Sequence, residues 1–203
     1  MTPRKAPWQP RGLHRRPILH RRSSFCIFTE GTTEKLYFED FHLPTLRVKC
    51  VGLGGGNAEH LLQDALRQMR QPKYSGYDYY FLVFDCDENS HEELQKVVAL
   101  AERRKIRWCF SNPCFEIWYL LHFVFRDAPV TATDLKHHLL PSRISGYAEN
   151  TPGIRELLKD KTDTAIRNAR RLLPLEKRVG WKGRLRQANP STNVDELVVM
   201  LKG

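Results

Sequence analysis

No run of apolar residues in this 203-residue chain approaches the ~20 needed to cross a bilayer. The N-terminus is basic but lacks the apolar stretch of a secretory signal, so a soluble, cytoplasmic protein is expected. Cysteine is scarce. Cys26, Cys50, Cys86, Cys109 and Cys114 make an odd number with no CxxC pair, and four fall in or beside expected strands. That argues against a disulfide framework and against a zinc site, and for buried free thiols in a reducing compartment. No Gly-Lys-Ser or Gly-Lys-Thr follows the glycine run at Gly54, Gly55 and Gly56, which rules out a Walker A loop. No internal repeat is present.

Acid is absent from residues 1–22, which carry seven Lys or Arg. The formal charge of the chain is +10, and the remaining residues account for only +3 of it. Most of the excess therefore sits in a proline-containing arm. Such an arm can bind phosphates through counterion release, or it can be an idle solubilising tail. The body, by its charge alone, does not point to nucleic acid.

What is present is an alternation of strand and helix. Phe25-Cys26-Ile27-Phe28 is an apolar run of strand length. Residues 33–42 read as a helix, and Leu46 to Leu53 as a strand. Ala58 to Arg70 is an amphipathic helix with Leu61, Leu62, Ala65, Leu66 and Met69 on one side. Tyr79 to Phe84 is apolar on both faces and belongs at the centre of a sheet. A helix capped by Ser90 runs to about Arg104, Ile106 to Phe110 is a fourth strand, and Phe115 to Phe125 a fourth helix. This order predicts an α/β fold, a parallel sheet covered by helices on both faces. From about residue 128 the strand signal stops. Residues 131–140, 152–160, 162–173 and 191–202 read as helices, broken by Pro141, Gly146, Pro152, Pro174 and Pro190. The expected organisation is an arm over 1–22, an α/β core over 23–127, and a helical extension over 128–203 packed on the core.

In parallel α/β sheets, function gathers beyond the carboxyl ends of the strands. Glu30 follows the first strand, and Asp85 and Asp87 follow the central one. Carboxylates gathered at one edge repel unless a cation neutralises them. Magnesium takes oxygen ligands and works with a few carboxylates plus substrate phosphates. An Asp after a strand is also a common helix cap or turn residue. The three acids together, with Gly31 opening the first turn, favour the metal.

These residues carry a resemblance. Thr29-Glu30-Gly31-Thr32-Thr33-Glu34-Lys35-Leu36-Tyr37-Phe38, followed by Phe84-Asp85-Cys86-Asp87, resembles the Toprim catalytic core. Ser111-Asn112-Pro113-Cys114-Phe115-Glu116-Ile117-Trp118-Tyr119-Leu120-Leu121-His122-Phe123 and Asn189-Pro190-Ser191-Thr192 are similar to the RloB-like family of bacterial defence-associated proteins. The likeness runs from about residue 23 to the end. It implies a Toprim-like sheet, Mg²⁺ (or Mn²⁺) held by Glu30, Asp85 and Asp87, and phosphodiester chemistry on DNA or RNA. It also implies an ABC-type ATPase as partner and a nuclease role against phage. The chain has no room for the separate domain that bears the nucleophilic Tyr of topoisomerases. It also lacks the zinc module of primases. Both absences favour hydrolysis or a partner-dependent activity. A non-catalytic nucleic-acid-binding or regulatory subunit of an ATPase complex is the alternative.

Other residues allow two readings each. Glu116 lies in the family motif at the start of a helix; it could support a second metal or simply favour the helix N-terminus. Glu34, one turn after Glu30, could brace the metal's ligands from behind or simply favour the helix N-terminus. Gly54, Gly55 and Gly56 could cradle a phosphate with backbone amides, or serve a tight turn. Lys177, Arg178, Trp181, Lys182, Arg184 and Arg186 mix cations with an aromatic, which suits a loop gripping a nucleic-acid backbone, or an ordinary solvated loop. His122, His137 and His138 have no metal spacing and read as structural or exposed.

Overall fold

A computed structural model describes residues 23–54, 56–86, 89–174 and 184–203. The chain alternates through β1 (Ser23–Thr29), α1 (Thr32–Glu39), β2 (Leu46–Gly52), α2 (Ala58–Met69), β3 (Tyr79–Asp85), α3 (His91–Arg103), β4 (Arg107–Asn112) and α4 (Glu116–Leu121). The later part holds α5 (Ala132–Asp134), which continues as a π-helical turn over Leu135–Leu139, then α6 (Ile154–Leu158) and α7 (Thr162–Leu172). It ends with β5 (Ser191–Thr192) and α8 (Val194–Lys202).

The strands form one sheet in the order β2-β1-β3-β4-β5. The first four run parallel, as the alternation predicts, and β3 lies at the centre. Its residues Phe81, Leu82, Val83 and Phe84 are all buried, because both faces of the strand are covered. Period-two alternation sends side chains to two cores. Phe25, Ile27, Phe81, Val83 and Cys109 pack with α1, α4, α6, α7 and α8. Cys26, Phe28, Leu82, Phe84 and Phe110 pack with α2 and α3. Each fully buried Phe or Leu contributes about 1.5–3 kcal/mol relative to exposure. None of the five cysteines forms a disulfide, and all are buried.

Three expectations need correction. Strand structure does not end before residue 128, since Ser191–Thr192 pairs antiparallel with β4. The helix expected over 191–202 begins only at Val194. A two-residue strand has no apolar run to announce it. Side chains hold it instead: Thr192 Oγ1 donates to Phe110 O at 2.8 Å, and Phe110 N–H donates to Asn193 Oδ1 at 2.8 Å. Helix α4 also stops at Leu121, well short of Phe125.

Candidate carboxylate site

Because β1, β3 and β4 are parallel and adjacent, Glu30, Asp85 and Asn112 come to the same sheet edge. Glu30 N–H donates to Val83 O at 3.2 Å, and Asp85 N–H donates to Glu30 Oε2 at 3.2 Å. The Glu30 carboxylate thus meets the backbone of Asp85, and both residues are half-buried. The turn into α1 is tight. Thr29 Oγ1 donates to Gly31 O at 3.0 Å, and Gly31 N–H donates to Glu34 Oε2 at 3.0 Å. A Cβ at residue 31 would stand 3.0 Å from that same Glu34 oxygen, which explains the glycine by space rather than by backbone angle.

Beyond Asp85 the chain is pinned from two sides. Cys86 N–H reaches Ser111 O at 2.9 Å and Pro113 O at 3.3 Å. Asn89, fully buried, donates from Nδ2 to Asp85 O at 2.8 Å and accepts Ala58 N–H on Oδ1 at 2.7 Å. Asp87 lies outside the described residues, as does Gly55. Among the described residues, no three His, Cys, Asp or Glu side chains are grouped to hold a metal ion.

A second pair of acids is more deeply buried. Glu34 is 4% exposed and Glu116 2%. Lys136 Nζ lies 3.9 Å from Glu116 Oε1 and 3.6 Å from Glu149 Oε1. Burial pushes the Glu34 carboxyl up to about 7, with Glu116 adding repulsion; hydrogen bonds from backbone amides and the charge of Lys136 pull the other way. Burial works against the charge on Lys136. Glu116, Cys114, Glu149 and Asp85 outweigh it and raise its pKa above the ordinary range. Burial, followed by the charges of Glu116 and Asp85, holds the Cys114 thiol far above its usual value, so it is inert as a nucleophile.

The glycine turn after β2 has its own explanation. Gly54 (φ +89°) and Gly56 (φ +114°) occupy the left-handed half of backbone space, where side chains are strained. Asn57 caps α2, accepting His60 N–H at 3.0 Å. With Ala58 N–H taken by Asn89, two amides at this helix start already have partners.

A family model described as RloB-like protein matches residues 25–201. The chain belongs to the RloB-like family. No curated protein and no solved structure matches it.

In this RloB-like chain, Lys177, Arg178, Trp181 and Lys182 lie outside the described residues. Arg184 is exposed. Arg186, two residues on, donates from Nη1 to the backbone carbonyl of Asn89. The C-terminal end of the basic segment therefore reaches the loop that follows Asp85, although far away in sequence. His122 is buried and its Nδ1–H donates to Trp118 O at 2.9 Å, a structural role.

Sequence reasoning missed Asn89 and Lys136. Asn89 had only its closeness to Asp85 and Asp87 to mark it. Lys136 sits in a helical stretch with no local sign of its distant carboxylates.

Proposed function

We propose that this RloB-like protein is a Toprim-type, Mg²⁺- or Mn²⁺-dependent nuclease acting on DNA or RNA in anti-phage defence, with an ABC-type ATPase as partner. The observation that supports it best is the contact of Glu30 with Asp85 at the carboxyl edge of the sheet. Two acidic residues brought to one strand edge favour a cation there, and oxygen donors suit a hard divalent ion. Asp87, two residues after Asp85, would supply the third carboxylate. A bound divalent ion would offset the charge that builds on the phosphate during hydrolysis.

The rest of the chemistry belongs to the protein's own side chains. Glu30 orients the attacking water and accepts its proton. As the water oxygen bonds to phosphorus, the opposite phosphorus–oxygen bond breaks, and the leaving alkoxide takes up a proton to become a hydroxyl. Asp85 and Asp87 fix the geometry at the strand end. Glu116, already paired with Lys136, supports the site from α4. Arg184 and Arg186, with the preceding Lys177, Arg178, Trp181 and Lys182, hold the nucleic-acid backbone by charge and stacking.

The test is Asp85→Asn, which removes a ligand charge with hardly any change of volume. Wild-type protein should gain thermal stability with Mg²⁺ or Mn²⁺ and cleave nucleic acid. The variant should keep its fold and lose both. Undiminished cleavage by a folded variant would place the catalytic ion elsewhere, or remove it from the reaction.

A further inference from the structure

Asn89 has 0% of its surface exposed, yet every polar group it carries is engaged. Its Nδ2 donates to Asp85 O at 2.8 Å, its Oδ1 accepts Ala58 N–H at 2.7 Å, and its own N–H reaches Cys86 O at 3.4 Å. Its carbonyl accepts from Arg186. One side chain therefore joins the end of β3 to the start of α2, and its backbone joins both to the basic segment.

What singles it out is where the bonds land. Glu30 Oε2 accepts the N–H of Asp85 at 3.2 Å, and Asn89 holds the C=O of the same residue. Both backbone polar groups of Asp85 are thus held by side chains. A strand end is ordinarily free to pivot, and the Asp85 carboxylate would swing with it. With its N–H and C=O both held, the backbone that carries the carboxylate is kept from pivoting. Groups that orient a ligand without touching the ion commonly change metal affinity or activity by about 10–100-fold when removed.

We infer that Asn89 is the positioning residue of the carboxylate site, and that Arg186 is held to it through the Asn89 carbonyl. The inference rests on the reading of Glu30 and Asp85 as ligands of a divalent ion.

The experiment titrates the protein with Mn²⁺ alone, following free Mn²⁺ by electron paramagnetic resonance, below the melting temperature of every variant. Five proteins are compared: wild type, Asp85→Asn, Asn89→Ala, Asn89→Asp and Asn189→Ala. Asn189 makes two bonds to Val130, at 3.1 and 2.9 Å, away from Asp85, so it reports general loosening. Asn89→Ala should bind Mn²⁺ about 10-fold more weakly or worse. Asn89→Asp keeps the acceptor for Ala58 but loses the donor to Asp85 O. If added negative charge governed affinity, it would bind tighter than wild type; positioning requires that it bind more weakly. Asn189→Ala should melt earlier at unchanged affinity. Should Asn89→Ala not fold, Asn89→Asp decides alone. Unchanged or tighter binding in the Asn89 variants, or an equal loss in Asn189→Ala, overturns the inference while leaving the ion site standing. Absence of Mn²⁺ binding by wild type, with Asp85→Asn no different, overturns both.

Discussion

The Asn112 side chain donates to the backbone carbonyl of Ala188 at 2.8 Å, across 76 residues of sequence. The same Nδ2 lies 3.1 Å from Leu185 O and 3.1 Å from Arg186 O. One buried amide group thus sews the carboxyl end of β4 to the segment that leads into β5. Asn189 does the like for Val130, with one bond in each direction. Of the two Asn-Pro pairs that carry the family resemblance, Asn112 is the staple that sets where Arg186 stands relative to the carboxylate edge, while Asn189 fastens the chain to Val130.

Asn112→Ala should therefore lower stability by about 1–3 kcal/mol, because it leaves buried carbonyls without their donor. Asn112→Asp should be worse, since it faces those carbonyls with an acceptor at a position only 6% exposed. Urea unfolding at neutral pH measures both. An unfolding midpoint for Asn112→Asp equal to wild type would mean that other interactions hold the segment.

Glu34 makes a pH prediction. Its folded pKa, pushed by burial to about 7, lies above its ordinary 4.5, so between those values the folded state holds a proton that the unfolded chain has lost. This contribution is fully present below 4.5 and fades as pH rises through 7. Its size is on the order of 3 kcal/mol. Glu34→Gln keeps an oxygen acceptor for Gly31 N–H and removes the titration. The variant should be more stable than wild type at pH 8, and the advantage should vanish near pH 4.5. Denaturant unfolding across that range checks it; a variant no more stable at pH 8 would show the carboxyl to be ionised without penalty.

His122 has the opposite sign. Burial lowers its folded pKa to about 4 from 6.5, with backbone hydrogen bonds opposing. Between those values the unfolded chain binds the extra proton, so stability is full above 6.5 and is lost as pH falls through 4. In wild type the Glu34 and His122 slopes oppose each other from 4.5 to 6.5, and the net profile should be shallow. His122→Phe keeps an aromatic ring against Trp118, whose ring centroid is 5.0 Å away, and leaves Glu34 unopposed. Its stability should fall as pH rises through that interval. A flat profile in His122→Phe would remove His122 from the balance.

Strands β1, β3 and β4 were legible because continuous apolar runs are what a doubly covered sheet requires. Glu30 and Asp85 were legible for the same reason: each follows such a run, and parallel strands bring their ends together. Ser191–Thr192 was not legible, since its pairing depends on side-chain bonds to Phe110 and Ser111, 81 or 82 residues away. Helix α4 was overread because Phe123 is apolar and packs partly against the core without continuing the helix. Asn89 and Lys136 act through partners in other elements, so local pattern could not find them. The glycines at 54 and 56 did show as a turn, and their positive φ supplies the physical reason.

The cations give the last prediction, and Arg184 and Arg186 should not behave alike. Arg184 is exposed, so Arg184→Ala should remove phosphate attraction and little else. Nucleic-acid affinity should fall uniformly across sequences, and the slope of log affinity against log salt should flatten by about 0.7–0.9 for each phosphate no longer neutralised. Arg186 also donates to the carbonyl of Asn89, so Arg186→Ala should weaken nucleic-acid binding and reduce Mn²⁺ affinity as well. Neutralising Lys182 with both arginines should add to the salt effect. Deleting residues 1–20, which hold cations but none of the proposed ligands, should flatten the slope and leave Mn²⁺ binding untouched. Affinity for single-stranded and duplex DNA and RNA at several salt concentrations, with parallel Mn²⁺ titrations, separates these effects. Unchanged affinity and slope in all the variants would make these cations ordinary surface charge. The reading would then move toward a regulatory subunit held by its ATPase partner.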